Sequence, residues 1–186
     1  MKKKILASLF VFIGLLSLSP TTACALDIDG WWKASMTMQQ GDFVTGEWTT
    51  LQAHGKKVSY IYIYDARENT FSGVAWLILW DDADKTYFIE PGEPTQNHYT
   101  VYNKNNFCVL MVPSVVDVDG NTAGGSTIVL RIHGTPNYAT ALSGFYTLYD
   151  LENVGTPDLF IRMGPVYATK IAPAKVPKEV MDLIPH

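Results

Sequence analysis

The sequence predicts an all-β fold, an antiparallel barrel of eight to ten strands with a short C-terminal helix or tail. Runs rich in Val, Ile, Tyr, Trp, Phe and Thr recur along the chain and are bounded by Gly, Asn, Asp or Pro. Their spacing of roughly 8–15 residues leaves no room for the crossover helices that a parallel sheet requires. A β-sandwich built from the same strands is the alternative architecture.

An N-terminal leader, residues 1–25, precedes the predicted fold. Three lysines begin it, an apolar run follows, and residues 23–25 have the small-x-small form of a signal-peptidase site. We therefore expect a signal peptide cleaved after Ala25 and a periplasmic or secreted protein. An uncleaved membrane anchor and a lipoprotein processed at Cys24 are less favoured, the latter because Thr21 stands where an apolar residue is usual.

Loss of the leader changes the charge and the cysteine count. The 14 basic residues fall to 11 against 18 acidic ones, which gives a formal charge of −7. Such a chain is repelled by nucleic acids and by anionic lipid surfaces, so we expect neither as a partner. Cys108 remains as the sole cysteine, so no intramolecular disulfide is expected. Its apolar neighbours predict a buried thiol and not a nucleophile.

The predicted strands follow one another with short polar turns between them. The first strand alternates, with Trp32, Ala34, Met36 and Met38 on one face and polar residues on the other, which is typical of a half-buried strand. The strand starts are predicted near Trp31, Phe43, Val58, Gly73, Thr86, His98, Phe107, Thr127, Gly144 and Asp158.

Two predicted strands, residues 74–80 and 107–112, are apolar on both faces and therefore need a second layer over the sheet. The Pro-rich C-terminal tail, a second copy in a homodimer and lipid are the three covers we consider. The predicted barrel domain spans residues 26–163 and the tail spans 164–186. Within the tail, residues 177–184 predict a short helix whose apolar stripe is Val180, Leu183 and Ile184.

A small outer-membrane barrel would also explain strands that are apolar on both faces. The polar faces of the first two strands and the Pro-rich end, which lacks a terminal amphipathic strand, count against it. After removal of the leader we therefore expect no stable membrane span.

Gly30-Trp31-Trp32, just inside the first strand, resembles the Gly-x-Trp motif of the lipocalin family. In that family the Trp closes the bottom of an eight-stranded up-and-down barrel, and an Arg near the end of the last strand packs over it. The resemblance assigns the structural roles to Gly30 and Trp32, with Arg162 as the candidate Arg. The family's disulfide is absent, and residues 153–158 are too few for its usual helix before the final strand.

The resemblance implies a non-enzymatic carrier of a small hydrophobic or amphipathic ligand. An eight-stranded barrel either fills with side chains or holds one small ligand, so a solid core is the alternative. The inward aromatic and Met side chains would line the site, with polar groups at its mouth. The candidate ligand-binding residues are Trp32, Met36, Met38, Trp48, Tyr60, Tyr62, Trp76, Arg131, His133 and Tyr146.

Patterns that would indicate catalysis or metal binding are weak. His98 and His133 have no His or Cys at ligand spacing, and no Gly-x-Ser-x-Gly sequence occurs. We therefore expect no metal and no cofactor. The alternative function is that of a β-sandwich module that binds carbohydrate or a protein partner through surface aromatics.

Overall fold

The structure is a computed structural model that describes residues 26–42, 45–51, 58–90, 98–116, 122–135, 138–150 and 160–185. The predicted leader lies outside these ranges. Within them the chain forms eleven strands, one 3-10 turn and one short helix, which confirms the all-β prediction. The strands are β1 (Gly30–Met36), β2 (Met38–Asp42), β3 (Trp48–Leu51), β4 (Ser59–Tyr64), β5 (Gly73–Asp81), β6 (Thr86–Glu90), β7 (Tyr99–Lys104), β8 (Phe107–Val116), β9 (Thr122–Thr135), β10 (Tyr138–Asp150) and β11 (Phe160–Ile171); the 3-10 turn is Pro173–Lys175 and the helix is α1 (Lys178–Met181).

Eight antiparallel strands close into a barrel. Their order around the barrel is β1, β4, β5, β7, β8, β9, β10 and β11, and β11 pairs back with β1. The closing ladder runs from Trp31 opposite Ile171 to Met36 opposite Val166. Barrel strands that follow one another in the chain are neighbours, so the barrel is of the predicted up-and-down type. Of the three additional strands, β2 pairs with β11 and carries β3, and β6 pairs with β5.

A break at Thr37 separates β1 from β2, and β11 runs past both. The Thr37 N–H donates to the Pro165 carbonyl at 3.3 Å. In an antiparallel sheet the N–H and C=O of one residue point to the same neighbouring strand. The nitrogen of Pro165, like its carbonyl, is therefore directed at the break, where the lack of an N–H leaves no ladder hydrogen bond unmade. Gly164 is required there, because a Cβ would overlap the Thr37 carbonyl oxygen. The expected domain boundary at residue 163 is therefore wrong: β11 tolerates Pro165 and continues to Ile171.

The inward faces of the barrel strands form one continuous apolar cluster. On β1 the buried residues alternate with exposed Lys33 and Ser35, as the sequence pattern predicts. Cys108 belongs to the cluster and is fully buried, and burial raises the pKa of its thiol to about 12. Full burial of a large apolar side chain contributes about 1.5–3 kcal/mol. The largest members that are nearly or fully inaccessible are Trp32, Tyr99, Tyr146, Ile28, Met38, Ile61, Ile63, Leu77, Leu79, Leu110 and Ile128.

A second apolar cluster lies outside the barrel, where the C-terminal tail covers β1, β4, β5 and β6. On the tail side Val176, Val180 and Ile184 are buried, and Leu183 packs against them. On the barrel side the buried members are Trp31, Tyr60, Trp76, Ile78, Trp80 and Tyr87. Of the three covers considered for the strand at residues 74–80, the tail is the one observed.

The predicted apolar stripe of the tail is confirmed, although α1 is a single turn. A helix this short is not stable alone, so its contacts with the sheet hold it in place. No helix in the described ranges is both long and apolar enough to cross a membrane.

Candidate functional site

Trp32 is fully buried at the end of the barrel where β1 begins. Its indole Nε1 donates to the Ile28 carbonyl at 2.9 Å, which satisfies the one polar atom of the ring. Gly30 has a φ of +114°, a conformation that residues with a Cβ rarely adopt. The glycine of the Gly-x-Trp motif is therefore explained by backbone geometry, and the tryptophan by its interior position.

Lys170, and not Arg162, lies against Trp32. Lys170 stands opposite Trp32 in the β1–β11 ladder, and its Nζ is 5.5 Å from the centroid of the indole ring. Arg162 stands opposite Gln40 in the ladder between β11 and β2. It precedes Lys170 by eight residues along β11, which corresponds to roughly 27 Å at the usual rise of a strand. The expected contact of Arg162 with Trp32 is therefore wrong. The error follows from ending the last strand at residue 163, since Lys170 is the cation near its true end.

At the other end of the barrel, five side chains form what we call the interior polar cluster: Glu90, Tyr99, Ser126, Tyr146 and Arg162. They come from five strands, β6, β7, β9, β10 and β11. The hydroxyls of Tyr99 and Ser126 are 2.8 Å apart and buried, and Ser126 also hydrogen-bonds Tyr146. These contacts join β7 to β9 across the intervening β8, and β9 to its neighbour β10, through polar groups in an otherwise apolar interior.

Gln40 on β2 supports the cation of the cluster. The Nε of Arg162 donates to Gln40 Oε1 at 3.0 Å. This bond uses one of the five N–H donors of the guanidinium. Met38, two residues before Gln40 on the same face, is nearly inaccessible, and Leu148 stands opposite Arg162 in the β10–β11 ladder. The cation thus lies next to apolar side chains of the barrel interior.

The surroundings of the interior polar cluster favour the protonated, uncharged forms of its acidic side chains. Burial raises the pKa of Glu90 to about 7, and the positive charge of Arg162 only partly opposes this. Burial also raises the pKa of Tyr99 and Tyr146 well above the ordinary value, and the Glu90 charge adds to the effect. Near neutral pH the cluster therefore offers one fixed cation, two phenol hydroxyls and a carboxyl group that exchanges its proton.

The sequence-predicted ligand-binding residues are distributed over several places. Trp32, Met36, Met38 and Tyr146 do lie in the barrel interior. Trp48 is half exposed on β3, outside the interior cluster.

Three other candidates, Tyr60, Tyr62 and Trp76, lie on the outer face beneath the tail, so their expected place in the interior is wrong. The inward residues of β4 are Ile61 and Ile63. When both faces of a strand are apolar, the alternation shows which residues share a face. It does not show which of the two faces points into the barrel.

Arg131 and His133 lie on the outer face of β9 and are exposed. The His133 Nε2 and the Ser143 Oγ are 2.7 Å apart. Neither residue reaches the interior polar cluster, so the mouth groups expected from the sequence are also placed elsewhere.

Glu90, Tyr99 and Ser126 were missed by sequence reasoning. Glu90 begins a Glu-Pro-Gly segment whose composition predicts an exposed loop. The available signal was its position two residues after Phe88, because Phe88 packs against the interior cluster and period-two alternation places Glu90 on the same face.

Comparison with models of protein families, with curated proteins and with solved structures found no match. The closed eight-stranded antiparallel barrel is compatible with a lipocalin-like fold. A function for the protein therefore has to be argued from the geometry and charges of its own side chains.

Proposed function

We propose that this protein is a non-enzymatic, lipocalin-like carrier of a small amphipathic molecule. The interior polar cluster would hold the polar group of the ligand, and the neighbouring apolar side chains would contact its hydrocarbon part. The observation that carries the proposal is the placement of Arg162 and Glu90 together, inside an apolar barrel.

A cluster of this kind is expensive as a purely structural element. Buried charges cost several kcal/mol of desolvation, and apolar replacements of similar size often stabilise a protein. A carboxyl group with a strongly raised pKa beside a specific charge partner is a common sign of a functional site. A few convergent polar groups within an apolar enclosure are also the usual composition of a small-molecule site.

The charges favour a ligand whose polar group is an anion. Arg162 is a permanent cation, and the phenols of Tyr99 and Tyr146 are uncharged and hydrogen-bonded to Ser126. Glu90 adds a donor when it holds its proton. A carboxylate at the end of an aliphatic chain, such as a fatty acid, fits this set of donors beside Met38 and Leu148.

Binding can be tested with anilinonaphthalene sulfonate, an anionic aromatic fluorophore, and with decanoate as its competitor. We expect saturable fluorescence enhancement that decanoate reverses, and a co-purified mass in native mass spectrometry. Arg162→Met should weaken binding, whereas Arg131→Met removes an exposed arginine from the outer face of β9 and should not. Absence of saturable binding, or an equal loss in both variants, would contradict the proposal.

We also propose that the carrier acts outside the cytoplasm. The support is the lysine-initiated apolar leader and its Ala-Cys-Ala site. Intact-mass measurement of exported protein should give a chain that begins at Leu26. A chain that retains Met1 contradicts this expectation, and a lipid-shifted mass at Cys24 identifies the lipoprotein form.

A further inference from the structure

An open groove of about 590 Å³ runs across the outside of β1, β11, β10 and β9. Strand register arranges the outward residues of these four strands in two rows. The first row is Lys33, Thr169, Ala141 and His133; the second is Ser35, Tyr167, Ser143 and Arg131.

Small side chains create this groove on a barrel wall. The small outward residues Ser35, Ala141, Ser143 and Thr169 line it together with the larger Lys33, Tyr167 and His133. Val58, which packs against the tail-covered cluster, contributes to the wall beside β1. The outward lining residues alternate with Ala34, Leu142 and Ala168 of the interior cluster, so the groove lies on the outer side of the barrel wall.

The charge of the groove differs from that of the chain. The protein has a formal charge of −4, yet the described residues lining the groove include Lys33 and His133 and no Asp or Glu. These two side chains stand at opposite ends of the first row, three strand spacings or about 14 Å apart. Arg131 ends the second row beside the groove and is not one of its lining residues.

Hydroxyl groups and one aromatic ring lie between the basic groups. Ser35, Ser143 and Thr169 supply hydroxyls, and the Ser143–His133 contact of 2.7 Å fixes the edge of the imidazole. Tyr167, in the middle of the second row, is 61% exposed, so a face of its ring is available for stacking.

We propose that this groove binds a short acidic saccharide. A uronic-acid oligomer combines three properties that suit the groove: carboxylates for Lys33 and for hydrogen bonds with the His133 imidazole, hydroxyls for the Ser and Thr side chains, and an apolar ring face for Tyr167. No carboxylate among the described lining residues is available to orient His133, so the Ser143–His133 pair lacks the third member of a hydrolytic triad. The inference is of binding, and it is independent of the interior site.

Isothermal titration calorimetry of the mature protein with digalacturonic acid tests the proposal, with lactose as the neutral disaccharide and inorganic phosphate as the plain anion. We expect saturable binding of digalacturonic acid and much weaker binding of the other two. Lys33→Gln should weaken affinity about twofold to fivefold, as expected for one exposed charge pair. Tyr167→Ala should weaken it about threefold to tenfold through loss of stacking.

Matched controls remove the same residue types elsewhere on the surface. Lys178→Gln changes an exposed lysine of α1, and Tyr64→Ala changes a tyrosine of β4 that is 58% exposed; neither lines the groove. Both controls should leave the affinity for digalacturonic acid unchanged. Circular dichroism melting of each variant confirms that it is folded.

Three results would overturn the proposal. The first is absence of saturable binding by the unmodified protein. The second is equal affinity for one of the two comparison ligands. Equal affinity for lactose would show that the carboxylates are not recognised, and equal affinity for phosphate would show that the sugar is not recognised. The third is unchanged affinity in both Lys33→Gln and Tyr167→Ala, which places the binding outside this groove.

Discussion

Replacing Glu90 with glutamine should stabilise the protein more at pH 8 than at pH 5. The pKa of Glu90 is raised from 4.5 to about 7 in the folded protein. Between these values the folded state keeps the proton that the unfolded state releases, so the free energy of unfolding falls as the pH rises through this window. Glutamine has the same shape and no titratable proton, and it removes this dependence.

The size of the effect follows from the shift. One pKa unit corresponds to about 1.4 kcal/mol, so the full window amounts to about 3 kcal/mol. Relative to the unmodified protein, Glu90→Gln should therefore be more stable by about 3 kcal/mol at pH 8 and by about 1 kcal/mol at pH 5. Both figures are upper values, because Glu90 retains some accessible surface.

Urea denaturation at pH 5, 6, 7 and 8, followed by tryptophan fluorescence, measures the difference. Glu47→Gln is the matched control, since it removes a carboxylate that is exposed beside the β2–β3 turn. Its stability difference from the unmodified protein should change far less with pH. If the Glu90→Gln difference is the same at pH 5 and pH 8, the carboxyl group is not buried as described and the electrostatic argument fails.

Three further changes test the packing. Trp32→Ala should destabilise the protein by about 3–5 kcal/mol in urea denaturation, because the indole is fully buried and its N–H is bonded; a loss below 1 kcal/mol would show that the ring is not part of the core. Val180→Ala should lower the free energy of unfolding by about 1–2 kcal/mol through loss of contacts under the tail. The neighbouring control Glu179→Gln should leave it unchanged, and equal effects of the two variants would contradict the burial of Val180 against the barrel. Cys108 should resist alkylation at pH 8 and react only after unfolding, since burial raises the pKa of its thiol to about 12; rapid labelling of the native protein would contradict this.

The barrel was predictable because its strands carry local signals. Alternation on β1 and the turn residues between strands depend on neighbouring positions only, and these features predicted the all-β, antiparallel class. They did not predict the break at Thr37, which divides the first predicted strand into β1 and β2. The second layer over β5 was also predictable, because two apolar faces cannot both be left in water. The sequence left the tail, a second copy and lipid as possible covers, and the structure places Val180 and Ile184 of the tail there.

The site was less predictable because it depends on contacts between distant strands. Arg162 was assigned to Trp32 on the assumption that the last strand ends near it, and Pro165 made that end plausible. Only the break at Thr37 shows why a proline is tolerated there. Likewise, the environment of Glu90 is set by strands far away in sequence, and composition alone places such a residue in solvent.

The closing pair of strands also governs when the protein can fold. Trp31 of β1 pairs with Ile171 of β11, so closure joins the two ends of the described barrel sequence. Contacts this distant along a chain form late, because the intervening segment must first be ordered. Until β11 has been synthesised, β1 and β10 both present unpaired edges to other chains. A growing chain shorter than this strand is thus vulnerable to aggregation, and holding it unfolded until synthesis is complete protects it.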